Sequence, residues 1–254
     1  MEIPKPKPIR NWREFLKEYA IIVIGVLTAL AAEQGVEALH WHYRVQDALA
    51  AIRLEVRDDN GPQAYTRAAA MVCFDKQLDA IQAAIEADRS RADITALIAR
   101  YDPPSRTWDS NAWDSMLASG VAAHVPPEEM IEWGQMYVGI PLARSLTARE
   151  RADVIALRPI RQSGDKLSTN EADTILAAVS RLRAGNHSLG EGSGYYVKRM
   201  EQNRIVMSQE QKSRILAGLG SLYQDCVIVP STARVDLDDQ LDNTRRAMAP
   251  HNRE

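Results

Sequence analysis

Cysteine, phenylalanine and net charge are all scarce in this sequence, and each shortage excludes a class of protein. Two cysteines among 254 residues are too few for a disulfide-built scaffold or a four-cysteine zinc site. Because 31 basic residues are balanced by 34 acidic ones, the net charge of −3 indicates no nucleic-acid partner. Thirteen glycines and twelve prolines are too few for a repetitive fibre or a long flexible stalk. The small aromatic content and the many alanines favour helices over a β-sandwich.

An uncharged apolar run near the N-terminus is the strongest feature that is present. Residues 19–32 (YAIIVIGVLTALAA) would form a helix of about 21 Å, shorter than the ~30 Å hydrocarbon core of a bilayer. Apolar side chains on both sides, from Phe15 to Leu39, lengthen the run, and Glu33 lies close enough to its edge to reach the lipid headgroups. We therefore predict a transmembrane helix over residues 15–39, with the lipid bilayer as its partner.

Two other interpretations of this run stay open. Ala29 and Ala31 satisfy the small-x-small rule for a signal peptide cleaved after Ala31, and the length also suits a buried core helix. Five basic residues precede the run, against three in residues 40–59, which favours a cytoplasmic N-terminus. The sequence thus predicts a cytoplasmic segment at residues 1–14 and a periplasmic remainder, in a single-pass protein of the bacterial inner membrane.

Two stretches resemble a family of uncharacterised bacterial single-pass membrane proteins. The first is residues 13–56, in which the anchor sequence VIGVLTAL leads directly into a helical segment. The second is WDSMLASG, residues 113–120, followed by the short apolar turn VAAHVPPEE and a further helical pattern. The resemblance implies a topology, an N-terminal anchor followed by a helical domain, and no activity or site residue.

Apolar periodicity predicts an antiparallel helical bundle over residues 40–230, followed by a polar tail at 231–254. Val45, Leu49, Ile52 and Val56 form one helical stripe that continues the transmembrane helix. We expect this helix to stop at residues 58–62 and a second to run from Pro62 to about residue 88. A short helix should contain residues 94–98 and end before the prolines at 103 and 104.

Helix start and stop signals divide the second half of the chain. Residues 108–119 predict a short helix with Gly120 as a left-handed cap, and Pro127 opens the next helix, which Pro141 should kink and Pro159 should close. Capping boxes begin at Ser168 and Ser208. Between them, residues 185–186 predict a stop, and the glycine-rich residues 185–194 predict a hinge rather than a phosphate loop.

Glu37 and His40 have the Glu-x-x-His spacing found in di-iron helical bundles. Such a site needs a second copy of the motif and two more carboxylates, and the sequence has no second copy. The better interpretation is a polar ring of Glu33, Glu37, His40 and Arg44 at the outer lipid boundary. We therefore assign no metal, no cofactor and no catalytic residue.

The remaining candidates have ordinary structural explanations. Cys73 and Cys226 could pair outside the cytoplasm, closing a long loop, or remain two buried free thiols. Trp108 and Trp113 differ by about 140° around a helix, so at most one should face the core fully, as a buried tryptophan with an aspartate cap. Trp133 and Tyr137 are spaced to face the core together.

These patterns predict a membrane-anchored extracytoplasmic helical module that acts through protein contacts, scaffolding or sensing, with a protein partner or a second copy as its binding partner. The alternative is a cryptic enzyme or metal-binding bundle whose residues assemble only in three dimensions. A ligand-sensing bundle would be indicated by a pocket between helices lined by Trp133, Arg144 or His124.

Overall fold

The computed structural model describes residues 12–104, 106–158, 165–223 and 226–230. These residues form an all-helical bundle without a strand, as the sequence predicts. The predicted tail at 231–254, Pro159 and most of the segment at 1–14 lie outside the described residues. The helices are α1 (Trp12–Leu54), α2 (Gly61–Glu86), α3 (Arg91–Arg100), α4 (Asn111–Ala118), α5 (Pro127–Tyr137), α6 (Ile140–Leu157), α7 (Thr169–Gln202) and α8 (Gln209–Tyr223).

The first helix does not stop at residues 58–62, so that prediction is wrong. A π-helical segment, Glu55–Asn60, joins α1 to α2, and Phe15–Glu86 is one helix of 72 residues. The Gly61 backbone N–H donates to the Val56 carbonyl oxygen, five residues back, which is the wide turn of a π-helix. Pro62 then falls in the first turn of α2, where no backbone N–H is needed.

The apolar part of α1 has no buried residue in the described structure. It is the one helix there that is long and apolar enough to cross a membrane, judged by length and composition, and no residue in its most apolar window is buried. The stripe that follows is buried as predicted, from Val45 to Val56. Burial therefore begins about two turns beyond the predicted transmembrane segment.

Helix α7 is the centre of the bundle and lies antiparallel to both α2 and α6. The predicted stop and hinge at residues 185–194 are wrong, because α7 is helical through the whole stretch. The buried Asn186 side chain donates to the Met71 carbonyl at 2.9 Å and to the Asp75 carboxylate at 2.7 Å. Gly190 lies directly against Met71. These contacts between helices outweigh the weak intrinsic helix propensity of glycine and asparagine.

Two apolar clusters fill the bundle. One lies around the end of α1, with α4, α5 and the second half of α7, and the other around α2, α3, α8 and the first half of α7. Helix α8 runs parallel to α2, since Lys212 lies over Tyr65 and Tyr223 lies against Phe74. A buried ion pair, Arg67–Glu150, joins α2 to α6 between the apolar side chains.

Other predicted helix ends are confirmed, and two more are corrected. Gly120 has a left-handed φ of 75°, and capping boxes open α7 at Ser168 and α8 at Ser208. Residues 108–110 precede α4 instead of forming its first turn. Pro141 does not kink a helix; a turn after residue 137 ends α5, and Pro141 lies in the first turn of α6, where its fixed φ is compatible with a helix start.

Candidate functional site

A groove lies where α1 meets the turn before α5, next to the predicted end of the transmembrane segment. Its volume is about 600 Å³, and its walls include Glu37, Trp41, His42, His124 and Glu129. The Trp41 and His124 rings, both in its wall, stack on each other, with centroids 3.9 Å apart and planes 13° apart. This stack attaches α1 to the bundle just beyond residue 39.

Charged side chains surround the stack. The Arg44 guanidinium lies 5.2 Å from the centre of the Trp41 ring, a cation–π distance. Two turns further on, Arg53 pairs with Glu129 at 3.3 Å and lies 5.8 Å from the Trp133 ring. The groove therefore offers an aromatic surface with charges of both signs at its rim.

The four residues of the predicted polar ring, Glu33, Glu37, His40 and Arg44, are exposed on α1. The Trp41 indole N–H points at the Glu37 carboxylate at a long 3.5 Å. Within the described residues, no three His, Cys, Asp or Glu side chains are grouped so that they could hold a metal ion.

The π-helical segment carries a buried carboxylate that organises the neighbouring helices. Glu55 accepts hydrogen bonds from the Tyr137 hydroxyl at 2.7 Å and from the Ala112 backbone N–H, at the start of α4, at 2.9 Å. Burial and the neighbouring carboxylate raise the pKa of Tyr137 above its usual value, so the phenol stays a proton donor to Glu55. The wide turn thus places an acid where it caps α4 and fixes α5.

Asn60, at the other end of the same segment, pairs with the backbone of Asp109. Its amide nitrogen donates to the Asp109 carbonyl at 2.8 Å, and its oxygen accepts from the Asp109 N–H at 2.9 Å. The predicted aspartate cap is absent, because the N-cap residue of α4 is Ser110 and it makes no side-chain cap hydrogen bond. Glu55 accepts from the Ala112 N–H at that helix start instead. Gln63 makes a similar contact to the Arg106 carbonyl at 2.9 Å.

The predicted burial of the aromatic side chains is confirmed, although Trp108 precedes α4, so its helical spacing from Trp113 is not the reason. Of the two tryptophans at 108 and 113, only Trp108 is fully buried, while Trp113 stacks on Tyr137 with centroids 5.1 Å apart. Trp133 and Tyr137 are both in the core. Among the residues suggested for a sensing pocket, His124 lines the groove, whereas Trp133 and Arg144 do not.

Cys73 and Cys226 form a disulfide, with Cα atoms 5.1 Å apart. The bond joins α2 to the segment after α8 and closes a loop with a sequence separation of 153 residues. Of the two alternatives that the sequence left open, the structure therefore has the paired one.

Sequence reasoning missed the partners of Trp41, Glu55 and Asn60, because each lies far along the chain. One local signal was available for Glu55, a carboxylate beside Val56 in an otherwise apolar stripe. No protein-family model matches the chain, and no curated protein or solved structure matches it.

Proposed function

We propose that the protein is a single-pass inner-membrane protein whose residues 15–39 lie in the bilayer, with the N-terminus cytoplasmic and the helical bundle periplasmic. In this proposal the bundle is a non-catalytic module that holds a protein partner, or a second copy of the chain, close to the membrane. One observation carries it: the apolar part of α1 has no buried residue and is continuous with a helix whose next turns are in the core.

The exposed apolar surface supports insertion over a buried core helix. A core helix of a soluble protein would be largely buried, whereas Ile21 and Val36 are 70% and 71% exposed. Residues 15–39 would cover about 37 Å as a helix, enough for the ~30 Å hydrocarbon core. Cleavage after Ala31 would remove most of this segment and leave the buried stripe from Val45 intact, so the size of the mature chain distinguishes anchor from signal peptide.

The disulfide supports the periplasmic location. Structural disulfides persist in oxidising compartments such as the periplasm and are rare in the cytosol. The excess of basic residues before the apolar run supports the same orientation.

The buried polar groups support a structural rather than a chemical role for the bundle. Glu55 holds Tyr137 and the start of α4, and Asn60 holds Asp109. A helix without a linker then fixes this rigid bundle beside the membrane, an arrangement suited to a scaffold. The resemblance to single-pass membrane proteins stays a prediction that agrees with this topology.

Insertion and sidedness are tested together. Full-length protein should resist alkaline carbonate extraction and become protease-sensitive in spheroplasts without detergent. Val26→Lys with Leu27→Lys puts two charges at mid-membrane, at about 3 kcal/mol each, and should release the protein. The matched control, Ile131→Lys with Ile155→Lys on the exposed bundle surface, should leave it in the membrane. Uncleaved wild type in the carbonate supernatant would contradict the anchor.

The protein-contact proposal needs a separate experiment. Mild crosslinking of intact membranes, followed by denaturing purification, should give an adduct larger than the chain. If crosslinking yields no partner and no self-associated form, the scaffold proposal is contradicted. Stoichiometric iron, manganese or zinc in the purified protein would favour a metal-binding bundle instead.

A further inference from the structure

A second pocket lies inside the bundle, between the α5–α6 corner and α7. Its volume is about 160 Å³, and apolar side chains form most of its wall, among them Met136, Ile140, Leu146 and Leu189. An enclosed apolar cavity of about 150 Å³ can hold a benzene-sized molecule. The pocket therefore has room for a small aromatic or branched body.

Three buried polar groups on residues of this wall have no hydrogen-bond partner among the described residues. They are the indole N–H of Trp108 and the hydroxyls of Ser193 and Tyr196, on residues that are 3%, 2% and 7% exposed. The Tyr196 hydroxyl lies near the Asn60 amide, which leaves Trp108 and Ser193 as the two donors without a polar neighbour in the described part of the chain. Arg144 does reach Trp108, but its guanidinium donates to the Trp108 carbonyl oxygen and leaves the indole free. An unpaired buried donor costs about 1–3 kcal/mol, and native proteins rarely leave one unsatisfied.

The mouth of the pocket is also apolar. Val138, Leu142 and Tyr195 belong to the wall and are 77%, 63% and 52% exposed. None of the described lining residues is Asp, Glu, Lys or Arg, so a charged ligand would lose its hydration without gaining a counter-charge. The site therefore favours a neutral molecule.

We propose that this pocket binds a neutral small molecule with an apolar body and one hydrogen-bond acceptor, such as a ketone or ester carbonyl. The acceptor takes the Trp108 N–H and the Ser193 hydroxyl, the body fills the apolar interior, and any extension lies over Val138, Leu142 and Tyr195. This inference concerns the aqueous bundle and does not depend on the membrane anchor.

Water is the competing occupant, since its oxygen accepts hydrogen bonds as a carbonyl oxygen does. The experiment must therefore show that a carbonyl replaces it. Acetophenone and α-methylstyrene are suitable probes because they have nearly the same shape, and only the ketone has an acceptor. The full chain in lipid nanodiscs, labelled with ¹⁵N at its five tryptophans, reports directly on the indole N–H groups.

Acetophenone should move the Trp108 indole resonance downfield and saturably, with the resonance assigned by its loss in Trp108→Phe. Ser193→Ala should weaken the binding of acetophenone about fivefold and leave the affinity for α-methylstyrene unchanged, because only the ketone loses a hydrogen bond. Part of each probe dissolves in the nanodisc lipid. That share is the same for every variant, so affinities are compared between variants for one probe at a time.

Two glycines of α7 provide a matched pair of controls. A Cβ at either Gly192 or Gly194 would meet no atom within 4 Å, but only Gly192 lines the pocket. Leucine is a better helix former than glycine, so both leucine variants should fold. Gly192→Leu should abolish the saturable shift, and Gly194→Leu should retain it.

Three results would overturn the proposal. The first is an unmoved Trp108 resonance at saturating ketone, which would mean that the pocket holds water only. The second is an equal loss of affinity for both probes in Ser193→Ala. The third is an unchanged response in Gly192→Leu.

Discussion

The guanidinium of Arg67 and the carboxylate of Glu150 form a two-point ion pair that joins α2 to α6 inside the bundle. Arg67 Nη1 lies 2.8 Å from Glu150 Oε1, and Nη2 pairs with Oε2. The side chains are only 1% and 3% exposed, and the Phe74 ring lies 5.8 Å from the guanidinium carbon. Each charge therefore depends on the other for the interactions that water would otherwise supply.

Removing one member of this pair should destabilise the protein more than removing both. Arg67→Met or Glu150→Leu alone leaves an uncompensated buried charge, and each should lower the free energy of unfolding by about 3–5 kcal/mol. The double variant replaces the pair with apolar side chains and should lose much less. Urea unfolding of the full chain, followed by circular dichroism, measures all three. A double variant whose loss equals the sum of the single losses would contradict this coupling.

The disulfide should contribute strongly to stability because it closes a long loop. For a separation of 153 residues the chain-entropy model gives about 5 kcal/mol. Replacing Cys73 and Cys226 together with alanine should therefore lower the unfolding midpoint markedly. Reductant should lower the wild-type midpoint to the same level and leave the variant unchanged. An equal effect of reductant on both proteins would show that the bond contributes nothing.

The parts of this fold that were predicted from the sequence are those set by neighbours along the chain. The stripe from Val45 to Val56, the left-handed Gly120 and the capping boxes at Ser168 and Ser208 all depend on residues within one to three helical turns. Their spacing is visible in the sequence because an α-helix repeats every 3.6 residues.

The parts that were missed are set by distant contacts. Gly185 and Asn186 have low helix propensity, but α7 continues through them because Asn186 bonds to α2. No local pattern brings Trp41 to His124, or Arg67 to Glu150. The proposed ligand pocket also depends on distant contacts, since Trp108 and Ser193 come from opposite halves of the chain.

The close approach of α7 to α2 at Gly190 gives a third prediction. A Cβ at Gly190 would come within 2.6 Å of Met71 Cγ and 3.0 Å of Met71 Cβ, so the two helices would have to move apart. Gly190→Ala should therefore cost about 1–3 kcal/mol of unfolding free energy, although alanine is the better helix former. Gly194→Ala, where the Cβ meets nothing within 4 Å, should instead stabilise by up to about 1 kcal/mol.

Thermal unfolding of both glycine variants, and of Gly190→Ala combined with Met71→Ala, separates crowding from helix propensity. Met71→Ala removes the Cγ and Sδ atoms and leaves only the 3.0 Å approach to Cβ, so the added cost of Gly190→Ala should shrink in that background. If Gly190→Ala stabilised the protein as much as Gly194→Ala, the close approach would not constrain the bundle.

The capping box of α7 should make the free energy of unfolding depend on pH in the acid range. Arg91 donates two hydrogen bonds of 2.8 Å to the Glu171 carboxylate, and the Ser168 backbone and hydroxyl donate at 2.8 and 2.7 Å. These donors, with Arg91 the largest contribution, lower the pKa of Glu171 from 4.5 to about 2. Because the folded state holds the ionised form, the stabilisation is complete above about pH 4.5 and is lost as the pH falls towards 2.

Glu171→Gln keeps the shape of the side chain and removes its charge. Its unfolding free energy should fall below that of wild type at pH 6, and the difference should shrink steadily between pH 4.5 and 2, where wild-type Glu171 becomes protonated. Glu210→Gln is the control, since Glu210 occupies the first turn of α8 and lies 3.8 Å from the exposed Arg214. Urea titrations at a series of pH values provide the comparison. A Glu171→Gln deficit that stays constant down to pH 2 would show that the Arg91 contact acts through shape and not through charge.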